Sequence, residues 1–238
     1  MENANVAAVI GVGPGLGAAI ARRFARGGYA VALMARQIDA LQSVKDSITE
    51  QGGKAAVIPA DASDPASIAA AFAEVRERLA EPDVLVYNAS AFKQGGVLDL
   101  TPEDLEACWR VSCLGAYAAA REVVPAMLMR GRGTILFTGA TAAVRGSAGF
   151  AAFAVGKFGL RALGQSLARE LHPKGIHVAH VVIDGQIDSP RARAMSPNRA
   201  THTFLDPDSI AESYWQLHRQ PPNAWTQELE LRPAVEKF

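Results

Sequence analysis

The chain has 238 residues, 24 Lys+Arg against 24 Asp+Glu, 49% hydrophobic residues and two cysteines. That length and apolar content suit one globular α/β unit, and the balanced charge excludes the electrostatic footprint of a nucleic-acid or anionic-membrane binder. Its apolar runs are too short to span a bilayer and Met1-Glu2-Asn3-Ala4-Asn5 lacks the features of a signal peptide, while Cys108 and Cys113 alone make no disulfide framework; a reducing, cytoplasmic setting is the expectation.

Short β-rich runs alternate with longer helical patterns. Val6–Ile10, Val31–Met34, Ala55–Ile58, Val84–Tyr87, Thr134–Thr138 and His177–Ile183 read as strands, several of them apolar without alternation, as strands covered on both faces are. Leu16, Ile20 and Phe24 repeat at i, i+4 before Gly27-Gly28, and Leu41, Val44 and Ile48 form a second helical stripe. Asp64-Pro65 opens a third helix, with Asp as cap and Pro at its first position. Thr101-Pro102-Glu103-Asp104 starts a long helix reaching Arg130, and another covers about Gly149 to Leu171. From Asp188 to Thr203 periodicity is lost, which reads as a mobile loop; Pro207 to Arg219 is helical again, and Glu228–Leu231 alternates like a last strand. Repeated βα order implies a doubly wound parallel sheet with helices on both faces, an α/β/α three-layer unit over residues 1–238, with a substrate loop and helix region at about 188–219.

Directly after the first strand and opening the first helix comes Gly11-Val12-Gly13-Pro14-Gly15-Leu16-Gly17. Glycines there let the backbone turn tightly and approach a pyrophosphate seated on the helix N-terminus. Two registers fit, Gly13-x-Gly15-x-x-Ala18 and Gly11-x-x-x-Gly15-x-Gly17. Where a dinucleotide site for NAD usually carries an acid to hold the ribose 2′-OH, the second strand here ends Leu33-Met34-Ala35-Arg36. A guanidinium pairs well with a 2′-phosphate, so NADP(H) is expected over NAD(H), with Asp39 the nearby rival acid.

The Gly11-x-x-x-Gly15-x-Gly17 spacing is joined by Asp61-Ala62 after the third strand and Asn88-Ala89 after the fourth. Gly133-Thr134-Ile135-Leu136 lies in the fifth strand, Lys157 in the long helix and Gly185-Gln186-Ile187-Asp188-Ser189 after the sixth. Together they resemble the short-chain dehydrogenase/reductase family from about Val6 to Ser189. The resemblance implies a Rossmann fold, in which Asp61 holds the adenine, Asn88 and Ala89 line the cofactor cleft, and Ile187 and Ser189 hold the nicotinamide amide and a nearby phosphate.

It also implies a Tyr-x-x-x-Lys pair aided by a serine and an asparagine, the lysine lowering the tyrosine pKa and holding the nicotinamide ribose. In this chain the pair reads Phe153-Ala154-Val155-Gly156-Lys157. The serine position falls on Ala140, flanked by Thr138 and Thr141, and the asparagine aligns to Ser112. Asp184 stands where relatives have proline, and reads either as a replacement acid or as a turn residue bonded to its own backbone.

The expectation is an NADP(H)-dependent oxidoreductase of a small carbonyl compound or alcohol with a non-standard proton donor. Lys157 would serve the ribose and the proton path, Thr138 or Thr141 the substrate oxygen, and Phe153 an apolar wall. The competing reading is a cofactor-binding protein without turnover, acting as sensor, scaffold or partner subunit; a lyase or isomerase is a third. The five histidines show no ligand spacing, so no metal is expected. The resemblance implies a homodimer or homotetramer paired through the helices at Glu103–Arg130 and Gly149–Leu171, with the Ala-rich 148–154 face suited to close packing.

Overall fold

Apolar runs separated by helices satisfy their backbone groups by pairing side by side. The computed structural model, which describes residues 5–235, gathers seven such strands into one sheet. These are β1 (Val6–Ile10), β2 (Ala30–Ala35), β3 (Ala55–Pro59), β4 (Val84–Tyr87), β5 (Gly133–Thr138), β6 (Ile176–Ile183) and β7 (Glu228–Leu231). They stand in the order β3-β2-β1-β4-β5-β6-β7, and every neighbouring pair is parallel. This is the doubly wound Rossmann arrangement. All seven expected strands form, with ends shifted by a residue at most.

Side-chain alternation divides the core between the two faces of the sheet. Val6, Ala8 and Ile10 of β1 face the layer holding α3 (Pro65–Arg78), α5 (Gly115–Arg130) and α6 (Ala151–Leu171). Ala7 and Val9 face α1 (Leu16–Arg26), α2 (Asp39–Glu50) and α8 (Pro207–His218). The expected stripes are the buried ones: Leu16, Ile20 and Phe24 in α1, and Leu41, Val44 and Ile48 in α2. Asp64 caps α3 by accepting from the Ala66 amide at 2.9 Å.

Two segments depart from the sequence reading. The helix entered at Thr101 is not continuous. α4 (Pro102–Trp109) passes into a π-helical turn at Arg110–Leu114 before α5 begins. The buried Tyr87 hydroxyl donates to the Val111 carbonyl, and a hydroxyl inserted into the ladder is a sufficient cause for such a bulge. The 188–203 segment, read as a loop, contains a short helix, α7 (Pro190–Met195). Ser189 caps it, accepting from the Ala192 amide at 3.1 Å, and Asp188 pairs in bidentate fashion with Arg193 at 2.6 Å. A parallel bridge from Ile187 to Leu205 fastens the segment to the body.

His177 and His180, both in β6, serve packing. The His177 ring stacks on Trp225 with centroids 4.9 Å apart, and His180 Nδ1 lies 3.2 Å from a Glu228 carboxylate oxygen. Among the described residues no helix is long and apolar enough to cross a membrane, and no cluster of three His, Cys, Asp or Glu is arranged for a metal ion.

Candidate active site

In a doubly wound sheet the crevice lies at the carboxyl ends of the strands where their order reverses, here between β1 and β4. Asn88, just past β4, closes that junction: its amide donates to the Ile10 carbonyl at 2.8 Å and its side-chain Nδ2 to the Gly11 carbonyl at 2.9 Å. Gly11 has φ +88°, and a Cβ there would sit 2.6 Å from Ala89 Cα, so no other residue fits. A Cβ on Gly17 would lie 2.5 Å from the Gly11 carbonyl oxygen. At Gly13 the same construction meets nothing within 4 Å. Gly11 and Gly17 therefore serve the loop's own folding, and Gly13 between them faces open space.

That space is a cavity of about 910 Å³. Gly11, Gly13, Pro14, Gly15, Leu16 and Gly17 form one wall, at the N-terminus of α1. Asn88, Thr138, Thr141, Phe153, Lys157, Ile187 and Ser189 also reach it. The Ser189 Cβ lies 3.5 Å from where a Gly15 Cβ would stand, so the residues after β6 close over the glycine loop. An open glycine backbone at a helix N-terminus, with a serine beside it, fits the pyrophosphate of a nicotinamide dinucleotide.

Arg36, Asp61, Ala62, Ala89 and Ser112 do not line the cavity. Arg36 is exposed at the end of β2 and forms no ion pair among the described residues. Asp61 is held below the ordinary carboxylate range, first by the Ser63 amide and hydroxyl and also by the Arg36 charge. The two therefore lie near one another, where the adenosine end would emerge. Ala62 is buried in the core, and Ala89 acts through its backbone packed on Gly11. Ser112 sits in the π-turn, fully buried, its Oγ without a hydrogen-bond partner.

Lys157, on the second turn of α6, is buried, and its Nζ donates to the Thr138 carbonyl at 2.8 Å. Desolvation pulls its pKa down to about 8. Nζ lies 5.9 Å from the centre of the Phe153 ring one turn earlier. Phe153 in turn packs edge-on against Phe92 at 5.2 Å, and Phe92 lies 5.9 Å from Phe150. Neither Phe92 nor Phe150 was singled out from the sequence. Phe150 stands three residues before Phe153, a usable signal, whereas nothing local marks Phe92.

The structure separates the two candidate threonines and reassigns Asp184. Thr138 spends its hydroxyl on Tyr214 of α8, at 2.8 Å. Thr141 donates its hydroxyl to Asp184 Oδ1 at 2.5 Å, while Asp184 Oδ2 pairs with Arg232 at 2.8 Å. With both oxygens engaged and its side chain outside the cavity lining, Asp184 is placed to position Thr141 rather than to act as the replacement acid. With its proton donated to Asp184, Thr141 presents lone pairs to the cavity.

The family profile described as short chain dehydrogenase matches residues 5–200, and the chain belongs to the short-chain dehydrogenase/reductase family. It is 38% identical to a short-chain dehydrogenase from Rhodopseudomonas palustris, with a TM-score of 0.84 over 98% of this chain and 100% of that one. A metagenomic short-chain oxidoreductase solved in complex with NADP is 31% identical, with a TM-score of 0.84 over 97% of this chain and 98% of that one. A glycine betaine reductase of Emericella nidulans is 28% identical over 97% of this chain, which spans only 19% of that protein's length.

The contrast within the glycine loop is testable by melting and titration. Gly17→Ala is expected to lower the melting temperature of the free protein by about 2–10 °C, the effect of roughly 1–3 kcal/mol of overpacking. Gly13→Ala should leave that temperature unchanged and weaken dinucleotide binding by about tenfold or more, a methyl group occupying ligand space at a cost near 1.4 kcal/mol.

Proposed function

We propose that the chain is an NADP(H)-dependent oxidoreductase interconverting a small carbonyl compound and its alcohol, an atypical family member in which Lys157 carries the proton that a phenol would otherwise carry. The observation behind this reading is that Lys157 is, among the described residues, the one side chain lining the cavity that can release a proton near neutral pH. The other charged groups there are guanidinium ions, and Phe153 has no hydroxyl. One of the three Nζ donors is committed to Thr138, which leaves two for a substrate oxygen.

A bound reduced nicotinamide would supply the hydride. As the substrate carbonyl carbon accepts it, the oxygen takes a proton from Lys157 Nζ, and the neutral amine is recharged from water. Thr141, its own proton held by Asp184, accepts from the hydroxyl of the alcohol and so orients it. Phe153, with Phe92 and Phe150, walls the site with apolar rings. A cofactor-binding protein without turnover is the competing reading; a lysine poised near pH 8 inside the cavity favours turnover.

Reduction needs the ammonium form. Its kcat/KM is expected to hold steady below pH about 8 and to fall about tenfold per unit above it, while oxidation of the alcohol rises over the same range. Lys157→Met should cut turnover by about 10²–10⁴-fold. A wild type that binds NADPH but reduces no carbonyl in a broad panel, alongside a Phe153→Tyr variant that does, would hand the argument to the competing reading.

The preference for NADP(H) rests on Arg36, which carries an uncommitted guanidinium at the end of β2 with no acid preceding it on that strand. Fluorescence titration is expected to give NADPH an affinity about tenfold or more above NADH, and Arg36→Ala to remove most of that difference. Equal affinities in the wild type would end the assignment.

We also propose self-association through the two helical segments expected from the sequence, with large apolar side chains rather than the alanines at the contact. Ala152 and Ala154 of the Ala-rich segment are buried within the chain. Leu105 and Trp109 of α4, Tyr117 of α5, and Val155 and Phe158 of α6 are instead exposed large apolar side chains on the expected helices. Covering them with a second copy would bury this surface in a closed assembly. Sedimentation should show a dimer or tetramer, and Phe158→Asp should shift it toward monomer. The free thiols of Cys108 and Cys113 support a reducing compartment, the cytoplasm.

A further inference from the structure

The cavity wall is charged with one sign only. Among the described residues three lining side chains carry a charge, Lys157, Arg145 and Arg191; all are cations, and no carboxylate is among them. The chain as a whole is balanced at 24 against 24, so the imbalance is local. Neighbouring arginines are committed elsewhere: Arg193 to Asp188 at 2.6 Å, and Arg232 to Asp184 at 2.8 Å. Asp188 and Asp184, the acids nearest in sequence, are thereby withdrawn from the cavity. The guanidinium groups of Arg145 and Arg191 make no hydrogen bond or ion pair among the described residues, and both side chains are exposed at its edge.

The two arginines come from different segments, and Arg145 belongs to the substrate side. Its amide donates to the Thr141 carbonyl at 3.1 Å, which places it one turn from the hydroxyl that orients the reacting oxygen. The same segment runs through Ser147 to Phe150, and the Gly149 carbonyl accepts from the Gly95 amide at 2.9 Å, joining it to the strand of chain that carries Phe92. Arg191 approaches from the segment after β6, two residues beyond the Ser189 that closes over the glycine loop. The resulting chamber has an aromatic wall of Phe92, Phe150 and Phe153, a proton carrier in Lys157 and unpaired guanidinium groups at its rim. Planar guanidinium ions match carboxylate and phosphate geometry through paired N–H donors.

We propose that this chamber selects an anionic substrate, an aromatic or similarly apolar carbonyl compound bearing a carboxylate that Arg145, with Arg191, receives. The inference rests on the oxidoreductase reading for its chemistry, but the anion subsite itself does not require turnover.

Two measurements separate the two claims. In the first, 4-carboxybenzaldehyde and its neutral methyl ester, methyl 4-formylbenzoate, are compared as substrates with NADPH. The carboxylate is expected to show a kcat/KM about tenfold or more above the ester, with the ratio falling toward one in Arg145→Gln and as salt is raised. In the second, benzoate and benzamide are titrated calorimetrically into the protein saturated with NADP+. Benzoate should bind, benzamide about tenfold more weakly, and Arg145→Gln or Arg191→Gln should erase the difference. Benzoate binding without reduction of either aldehyde keeps the subsite and overturns the oxidoreductase reading. Reduction of both aldehydes at equal efficiency, or benzoate binding no better than benzamide, overturns the subsite.

Discussion

The site depends on the junction between the ends of β1 and β4. Asn88 ties its backbone to Ile10 and its side chain to Gly11, and Gly11 approaches Ala89 so closely that a methyl group has no place there. Because the sheet reverses its winding at this pair, the helices that follow diverge to opposite faces, and the backbone between them is left facing space. The glycine loop, the start of α1 and the residues after β6 are all placed relative to that junction. Losing it would shift the wall that faces a dinucleotide, however intact the rest of the core remained.

The other half of the chamber is organised by a chain of polar contacts running inward from the end of β7. Arg232 holds Asp184, Asp184 holds Thr141, and Thr138 is drawn away to Tyr214 while its carbonyl holds Lys157. Each contact removes a hydroxyl or carboxyl from the list of possible proton donors. In the reading proposed above Lys157 is the donor that remains, and desolvation weakens its hold on its proton. The Phe153 ring beside it adds an apolar wall to the cavity.

The places where sequence reasoning went astray share a cause. The bulge at Arg110–Leu114 follows the insertion of a hydroxyl from β4, a contact between residues far apart in the chain. Helical order at Pro190–Met195 arises from a serine cap and an Asp188–Arg193 pair, neither of which makes an apolar stripe. Phe92 joins the aromatic wall from a segment with no regular structure. In the Ala-rich segment leading into α6, Ala152 and Ala154 pack inside the chain while Ala148 and Ala151 stay exposed, a division that composition alone does not show.

What the sequence by itself determined is everything set by local periodicity and turn chemistry. That covers the strands, the stripes of α1 and α2, the Asp64 cap, the glycine loop that turns directly from β1 into α1 and the Phe153-x-x-x-Lys157 spacing. These follow from steric and polar rules acting over a few residues, so order along the chain is enough to read them. Only the tertiary structure decided which hydroxyls and carboxyls are free. Thr138 and Thr141 are the same letter, and become different through Tyr214, 76 residues from Thr138, and through Asp184, itself held by Arg232 directly after the sheet's last strand. A proton donor is defined by what its neighbours leave unpaired, and those neighbours are brought together by folding alone.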